Sequence, residues 1–283
     1  MSTTRSAAKA SRHPTTGTRA PVLCDLDGVV WLAHHPIDGA SGAIAALRAG
    51  GRRVLFVTNN SAPVVAEQVT ALEHIGIPAR GDVLTSGQAA ALLLEPGARV
   101  LVCGGDGIVE AVRARSAVVV GHDEVDAGER VDAVVVGFHR DFDYERMRRA
   151  STAVRRGARL IGTNDDPTYP TPDGPIPGGG AILAAIATAS GVVPEIAGKP
   201  YAPMAALVRT VLGVADLSDA TPGFAMTDVV MIGDRPSTDG LFARTLGCRY
   251  AQVWSGVTPK GAVVDPPPDL VADSLVGLVP QLV

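Results

Sequence analysis

Aromatic residues make up only 4% of this 283-residue sequence, and cysteine occurs three times. Cys24, Cys103 and Cys248 are far apart and odd in number. That pattern excludes a zinc-type pairing and a disulfide framework, and predicts reduced, mostly buried thiols in a cytoplasmic protein. No apolar run approaches the length of a membrane-spanning helix. Charge of one sign is not in surplus either: 25 Lys and Arg stand against 29 Asp and Glu, a net charge of −4. Such a balance offers no electrostatic footing for nucleic acid or an anionic membrane. Low-complexity segments and long linkers are absent after residue 20. Residues 1–20 differ from the rest, holding Arg5, Lys9, Arg12 and Arg19 but no acid. A transit peptide shares that composition, but the apolar stretch of a secretion signal is missing; a disordered tail is the expectation.

What remains is 46% hydrophobic, enough for a substantial core. From Pro21 onward, short Val/Leu/Ile runs alternate with segments of helical period. "VLC" precedes a helix over 41–49, and "RRVLFV" (52–57) precedes one over 63–75. "ARVLVC" (98–103) leads into 106–114, "VDAVVVGF" (131–138) into 143–156, and "ARLIGT" (158–163) follows. Helices over Ala181–Ser190 and Pro203–Leu212 precede "DVVMIG" (228–233), a helix over 237–246 and "CRYAQVW" (248–254). Strands alternating with helices predict an α/β protein with parallel sheets, and unbroken apolar runs suit strands covered on both faces. Gly/Pro-rich breaks at 92–100 and 175–195 suggest that 95–193 is an insert interrupting an outer domain made of 21–94 and 194–283.

Polar phrases recur at strand ends. Asp25-Leu26-Asp27-Gly28 follows "VLC", and Thr58-Asn59-Asn60-Ser61 follows "VLFV". Gly198-Lys199-Pro200 follows the run 193–197, and Gly233-Asp234 with Thr238-Asp239 follows "VVMI". In an open parallel sheet the loops after the carboxyl ends of strands gather at one edge, where ligands bind. If the strands are neighbours, one cleft would collect several carboxylates, a lysine and short hydroxyl and amide donors. Carboxylates without His or Cys favour a hard cation such as magnesium. Asp25, Asp27, Asp234 and a phosphate dianion outweigh a divalent ion and Lys199 by roughly two negative charges, and like charges at short range raise one another's pKa. One carboxylate should therefore hold a proton, which is what a departing alkoxide needs. On this reading Asp25 attacks phosphorus and Asp27 hands its proton to the leaving group.

The phrases DxDG, TNN, GKP and GDxxxTD, in this order, resemble those of the haloacid dehalogenase (HAD) superfamily of phosphatases. Order and spacing are most similar to the NagD-like subfamily, which includes p-nitrophenyl, phosphoglycolate, glycerol-phosphate and pyridoxal-phosphate phosphatases. The similarity runs over nearly all of 21–273, including "VDAVVVGFHRDFDYERM" and "TNDDPTYPTPDG". It implies a Rossmann-like, doubly wound parallel sheet with an inserted type II α/β cap, and a phosphomonoesterase working through an aspartyl-phosphate. Asp25 would be the nucleophile and Asp27 the general acid that later activates water. Thr58 and the Leu26 and Asn59 amides would bind phosphoryl oxygens, and Lys199 would offset charge. Magnesium would lie between the Asp25 side chain, the Asp27 carbonyl and Asp234, with Asp239 orienting a bound water or Lys199. Arg235 and Pro236 fall at variable positions of the motif. The loop Asn164–Gly174 falls where relatives keep a specificity loop. It makes Tyr169 the first candidate to touch the leaving group, with Asp165 and Asp166 near it. Relatives often dimerise through the cap, so a homodimer is possible on this ground.

Each phrase also has a plain reading. Asp and Gly together make turns, a lone Lys199 is an ordinary loop lysine, Asn59-Asn60 a turn, and Asp239 a helix-start charge. "AGKP" is not a phosphate loop of the Walker type, because Val193 stands where its first Gly belongs. "VCGGDGIVEAV" (102–112) lacks GxGxxG and reads as a tight strand-to-helix turn. "PGGG" (177–180) reads as a turn or hinge. His34, His35, His74, His122 and His139 show no ligand spacing and are expected on the surface or in loops. Asp27 argues against a dehalogenase, since a halide leaves without a proton. A phosphomutase shares the acid pair, and a binding protein for a phosphorylated metabolite is the alternative outside catalysis. A small ester such as glycerol phosphate or phosphoglycolate is the expected substrate, with a nucleotide or pyridoxal phosphate as the alternative.

Overall fold

Strand-forming runs in this chain feed apolar side chains to both faces, and the structure uses both. The computed structural model describes residues 19–32, 34–171, 173–214 and 223–283. A six-stranded parallel sheet runs in the order Leu270–Ala272, Arg249–Val253, Val230–Gly233, Val22–Cys24, Val54–Thr58, Val83–Thr85. Successive residues alternate between two hydrophobic clusters. Leu23, Leu55, Val57 and Met231 enter one cluster, while Val22, Cys24, Val54, Phe56 and Ile232 enter the other. Helices Ala40–Ala49, Val65–His74 and Leu275–Leu282 cover one face, through Ile44, Leu47, Leu72 and Leu278. Helices Ser86–Ala91, Ala202–Leu212 and Leu241–Leu246 cover the other, through Ala89, Met204, Val208 and Phe242. The fold is α/β with parallel sheets, as the alternation of runs predicted.

A second, five-stranded parallel sheet has the order Glu195–Ile196, Arg159–Gly162, Ala133–Val136, Arg99–Cys103, Val118–Val120. One face carries its own cluster, with Leu101, Val134, Val136 and Leu160 packed under the helices Tyr144–Arg155 and Gly179–Ser190. The other face, through Val100, Val102, Val135 and Ile161, joins the cluster that lines the first sheet. The two layers therefore share one apolar core. The strand Glu195–Ile196 belongs to this second sheet, so the phrase Gly198-Lys199-Pro200 is delivered from the upper layer and not from a neighbouring strand of the first sheet. The upper layer's last strand ends at Ile196, three residues past the 95–193 range read from the Gly/Pro breaks.

Several short elements carried no periodic signal: the strands Val83–Thr85 and Val118–Val120 and the helices Ser86–Ala91 and His122–Asp126. Three to six residues are too few to show a period of 2 or 3.6. Ser86–Ala91 is instead held by a reciprocal cap, in which Thr85 and Gln88 bond each other's backbone N–H. The strand Leu270–Ala272 and the helix Leu275–Leu282, which holds Pro280 in its last turn, were likewise not anticipated. All three cysteines are free and buried. The expectation of a disordered tail over 1–20 falls almost wholly outside the described residues. Ala20 is buried, and its carbonyl accepts from Arg52 Nη1 at 2.7 Å.

Two glycine-rich runs gain a packing role. "VCGGDGIVEAV" is the strand-to-helix turn expected, but its glycines serve packing. A Cβ on Gly105 would lie 2.4 Å from the Ala62 carbonyl oxygen, and one on Gly107 would lie 2.2 Å from that of Pro63. The "PGGG" run turns the chain from the strand Ile176–Pro177 into the helix Gly179–Ser190, and a Cβ on Gly180 would meet the Asp165 backbone at 2.3 Å.

Candidate active site

Register explains why distant phrases meet. Cys24 is level with both Ile232 and Phe56, which places Asp25 level with Gly233 and Val57. Thr58 and Asp234 then lie one position further along the two flanking strands, about 5 Å to either side. The Asp25 N–H continues the ladder to the Ile232 carbonyl at 2.9 Å. Its carboxylate Oδ1 accepts from the Leu26 N–H at 2.7 Å and from Lys199 Nζ at 2.9 Å.

Lys199 is 1% exposed and comes down between two carboxylates, donating also to Asp239 Oδ1 at 2.7 Å. Asp239 is fully buried, and its Oδ2 accepts from the Arg235 N–H at 3.2 Å. A π-helical turn, Pro236–Gly240, carries it there. Wide turns of this kind gather at functional sites because they re-aim side chains. The backbone at Gly233 leaves room for it: a Cβ there would fall 2.2 Å from Asp239 Cγ. Asp234 is held by a loop from the far end of the chain. Its Oδ2 accepts from the Val257 N–H at 2.6 Å, and its carbonyl accepts from Thr258 Oγ1 at 2.5 Å and Gln252 Nε2 at 3.0 Å. Gly28, with φ of +84°, and Gly256 form the walls around it; a Cβ on either would lie within 2.5 Å of the Asp234 carboxylate.

Oxygens of Asp25, Asp234 and Asp239 all lie within 4.8 Å of one another. Clustered, desolvated charge shifts each group. Burial pushes the Asp25 carboxyl well above the ordinary range, opposed by Lys199 and assisted by Asp239 and Asp234. Burial, with Asp239, pushes Asp234 up to about 7. Burial alone would lower Lys199, but Asp239 and Asp25 outweigh it and hold the ammonium above its ordinary value. The donor set is all oxygen, buried and anionic, which fits a hard divalent cation. Among the described residues Asp239 has both oxygens engaged, by Lys199 and Arg235, whereas Asp25 and Asp234 each turn only one oxygen to a protein donor. Asp25 and Asp234 are therefore the pair with coordination to spare.

A cavity of about 70 Å³ sits over this cluster, lined by Asp25, Asp27, Thr58, Asn59, Asp166, Tyr169 and Lys199 among others. That is room for a few waters or one small tetrahedral anion. Thr58 is buried at the end of its strand, and its Oγ1 accepts from the Asn60 N–H at 3.0 Å, which leaves the hydroxyl proton to donate. Asn59 also lines the cavity, and its side chain has a task that the sequence did not suggest. Its side chain brackets Lys199, Oδ1 accepting from the Lys199 N–H at 2.8 Å and Nδ2 donating to the Lys199 carbonyl at 3.0 Å. Leu26 does not line the cavity, and its N–H is spent on Asp25.

In the loop after residue 163, Tyr169 stacks on Phe138 with ring centroids 5.1 Å apart and planes 18° from parallel. Asp166 lines the cavity, but Asp165 does not. The Asp165 carboxylate accepts from Tyr201 OH at 2.5 Å on the protein surface, so it is withdrawn from the candidates near the leaving group. His139 lies in a loop, as expected, but is buried there, with Nδ1 3.0 Å from the Gly137 carbonyl. Arg235, read as a variable position, forms an ion pair with Asp166 at 3.3 Å. Phe138 and Asn164, both lining the cavity, were missed. Each lies two positions past the end of a strand of the second sheet, so the strand-end rule that found Asp25 and Thr58 would have found them too.

Two family models match the chain, one described as haloacid dehalogenase-like hydrolase over residues 22–116 and one as HAD-hydrolase-like over 196–278. An acid sugar phosphatase of Staphylococcus saprophyticus is 36% identical over 242 residues, covering 84% of this chain and 87% of that protein. The solved p-nitrophenyl phosphatase of Archaeoglobus fulgidus superposes with a TM-score of 0.80 at 28% identity, over 93% of this chain and 99% of the other. A glycerol phosphate phosphatase of Mycobacterium tuberculosis, solved in complex with magnesium, superposes with a TM-score of 0.79 at 32% identity, over 95% and 78%. With the carboxylate pair, the buried lysine and the second acidic turn all in register, the chain belongs to the haloacid dehalogenase-like hydrolases.

Proposed function

We propose that the chain is a magnesium-dependent phosphomonoester hydrolase of the cytoplasm, acting on a small phosphorylated metabolite through an aspartyl-phosphate. The observation that carries this reading is the meeting of Asp25, Asp27, Thr58 and Lys199 around one cavity of about 70 Å³. Asp25 attacks phosphorus, forming a new P–O bond while the ester P–O bond breaks, and Asp27 gives its proton to the leaving oxygen. Asp27 then takes a proton from the water that hydrolyses the acyl phosphate. Thr58 donates to a phosphoryl oxygen, and Lys199 offsets the charge shared by nucleophile and phosphate. Asp25 and Asp234, with the Asp27 carbonyl, would hold magnesium, which neutralises phosphoryl charge when bound. Asp239 keeps Lys199 in place. Hydrolysis of p-nitrophenyl phosphate with magnesium and its loss on chelation tests the reading; equal rates with and without the ion would end it.

The same carboxylates predict a linked effect of pH. A folded-state pKa of about 7 for Asp234 lies above the roughly 4 of an unfolded aspartate, so the native protein binds more protons in that window. Without metal, stability should fall as pH rises from about 4 to 7. Magnesium should then raise the melting temperature more at pH 8 than at pH 5. An equal shift at both values would show that the carboxylates do not hold the ion.

Tyr169 is the residue proposed to touch the leaving group. Beyond it opens a cleft of about 1030 Å³, which shares Asn60, Phe138 and Tyr169 with the phosphoryl cavity and is walled by Pro63, Phe142, Ile176 and Ile182. That size and apolar lining favour, as a second reading, an ester with a larger leaving group such as pyridoxal or a nucleoside. Tyr169→Ala should change the ranking of esters in a substrate panel. Unchanged relative rates would reduce Tyr169 to a packing partner of Phe138.

A further inference from the structure

Asp166 was expected beside the leaving group, yet its carboxylate faces the lower layer. Oδ2 accepts from Asn59 Nδ2 at 2.9 Å, and Oδ1 accepts from Arg235 Nη1 at 3.3 Å, with Thr238 Oγ1 at 3.5 Å. All three donors come from the loops that carry the phosphoryl and acidic motifs. A second rung lies beside it: Asn164 Nδ2 donates to the Asn59 carbonyl at 2.8 Å, and Asn164 Oδ1 accepts from the Asp166 N–H at 3.1 Å. Burial pushes the Asp166 carboxyl upward against the pull of Arg235 and Asn59, so keeping the charge there costs free energy that a surface aspartate would not bear.

Asn59 thus faces two ways. Its amide brackets the backbone of Lys199, and the same Nδ2 reaches Asp166 in the upper layer. Three residues beyond Asp166, Tyr169 and its stack on Phe138 wall the cavity from above. We propose that Asp166, Asn59 and Arg235 form a latch that holds the segment 164–171 closed over the phosphoryl cavity, with Asp166 as its positioning residue. The inference rests on the hydrolase reading. Asp166 does no chemistry; it fixes the distance between the groups that meet the leaving group and the groups that meet the phosphate.

Asp166→Asn keeps the shape but turns an N–H₂ toward donors. With the loop released, the KM for phosphomonoesters should rise about tenfold or more, since small misplacements of positioning groups carry costs of that order. kcat should fall by about threefold at most, because Asp25, Asp27 and Lys199 remain in place. Discrimination between the best and poorest esters of a panel should narrow several-fold. Arg235→Ala removes the partner and should reproduce both changes, Arg235→Lys should restore part of them, and the double variant should be no worse than either single one. A KM and ranking unchanged in both single variants, a loss confined to kcat, or additive losses in the double variant would each overturn the latch. Should one variant not fold, as read by its melting temperature, the other decides. A wild-type protein that cleaves no ester would instead defeat the hydrolase reading itself.

Discussion

Replacing Asp25 by Asn is expected to lower kcat for p-nitrophenyl phosphate by about three decades or more, the scale on which removing a nucleophile acts. The substitution changes one atom's identity and little volume. Its amide oxygen can still accept from the Leu26 N–H, which now bonds Oδ1 at 2.7 Å. What is lost is the charge that, on the proposed mechanism, attacks phosphorus. Stability should move the other way in the absence of metal. Burial and the neighbouring Asp239 and Asp234 push the Asp25 carboxyl well up, so its ionised form strains the folded state, and a neutral amide relieves it. An inactive variant that melts no lower than the wild type under chelation separates chemistry from folding. Activity within about tenfold of the wild type would remove Asp25 from the role of nucleophile.

Loss of Lys199 is expected to be costly twice over. Its ammonium lies 2.9 Å from Asp25 and 2.7 Å from Asp239, and the side chain is 1% exposed. Lys199→Ala leaves two buried carboxylates facing each other, and breaking a buried pair in this way costs about 3–5 kcal/mol. Activity should fall by about two to three decades, as when a preorganised charge-stabilising donor is removed. Lys199→Arg restores the charge but brings a planar fork into a space shaped for a single ammonium, so only part of the activity should return. Steady-state rates and thermal melts of the two variants decide this. Full activity in Lys199→Ala would show that the lysine is structural, and an arginine variant equal to the wild type would show that charge alone is needed.

The motifs were legible because each is short and sits at the end of a strand that its own apolar residues define. Asp25, Thr58 and Asp234 could be placed at one sheet edge from the runs before them, since a parallel strand buried on both faces writes itself as unbroken Val, Leu and Ile. Lys199 was found from its phrase, but its route was misjudged: two-residue Glu195–Ile196 is too short to reveal which sheet it joins. Asp165 and Asp166 are neighbours with the same chemistry, and nothing local distinguishes them. In the fold one bonds Tyr201 at the surface and the other Asn59 and Arg235. The loop of Val257 and Thr258 that grips Asp234 carried no signal, because backbone N–H groups are the same at every residue.

By itself the sequence determined the α/β class, the acids and the lysine available for chemistry, and the hard oxygen character of any ion they could hold. Those follow from hydrophobic pattern and side-chain type, which are local. Only the tertiary structure decided that Asn59 braces Lys199, that Arg235 pairs with Asp166, and that the two layers share a core. Each of these depends on contacts between residues far apart in the chain, which strand register and layer packing create and which no local pattern encodes.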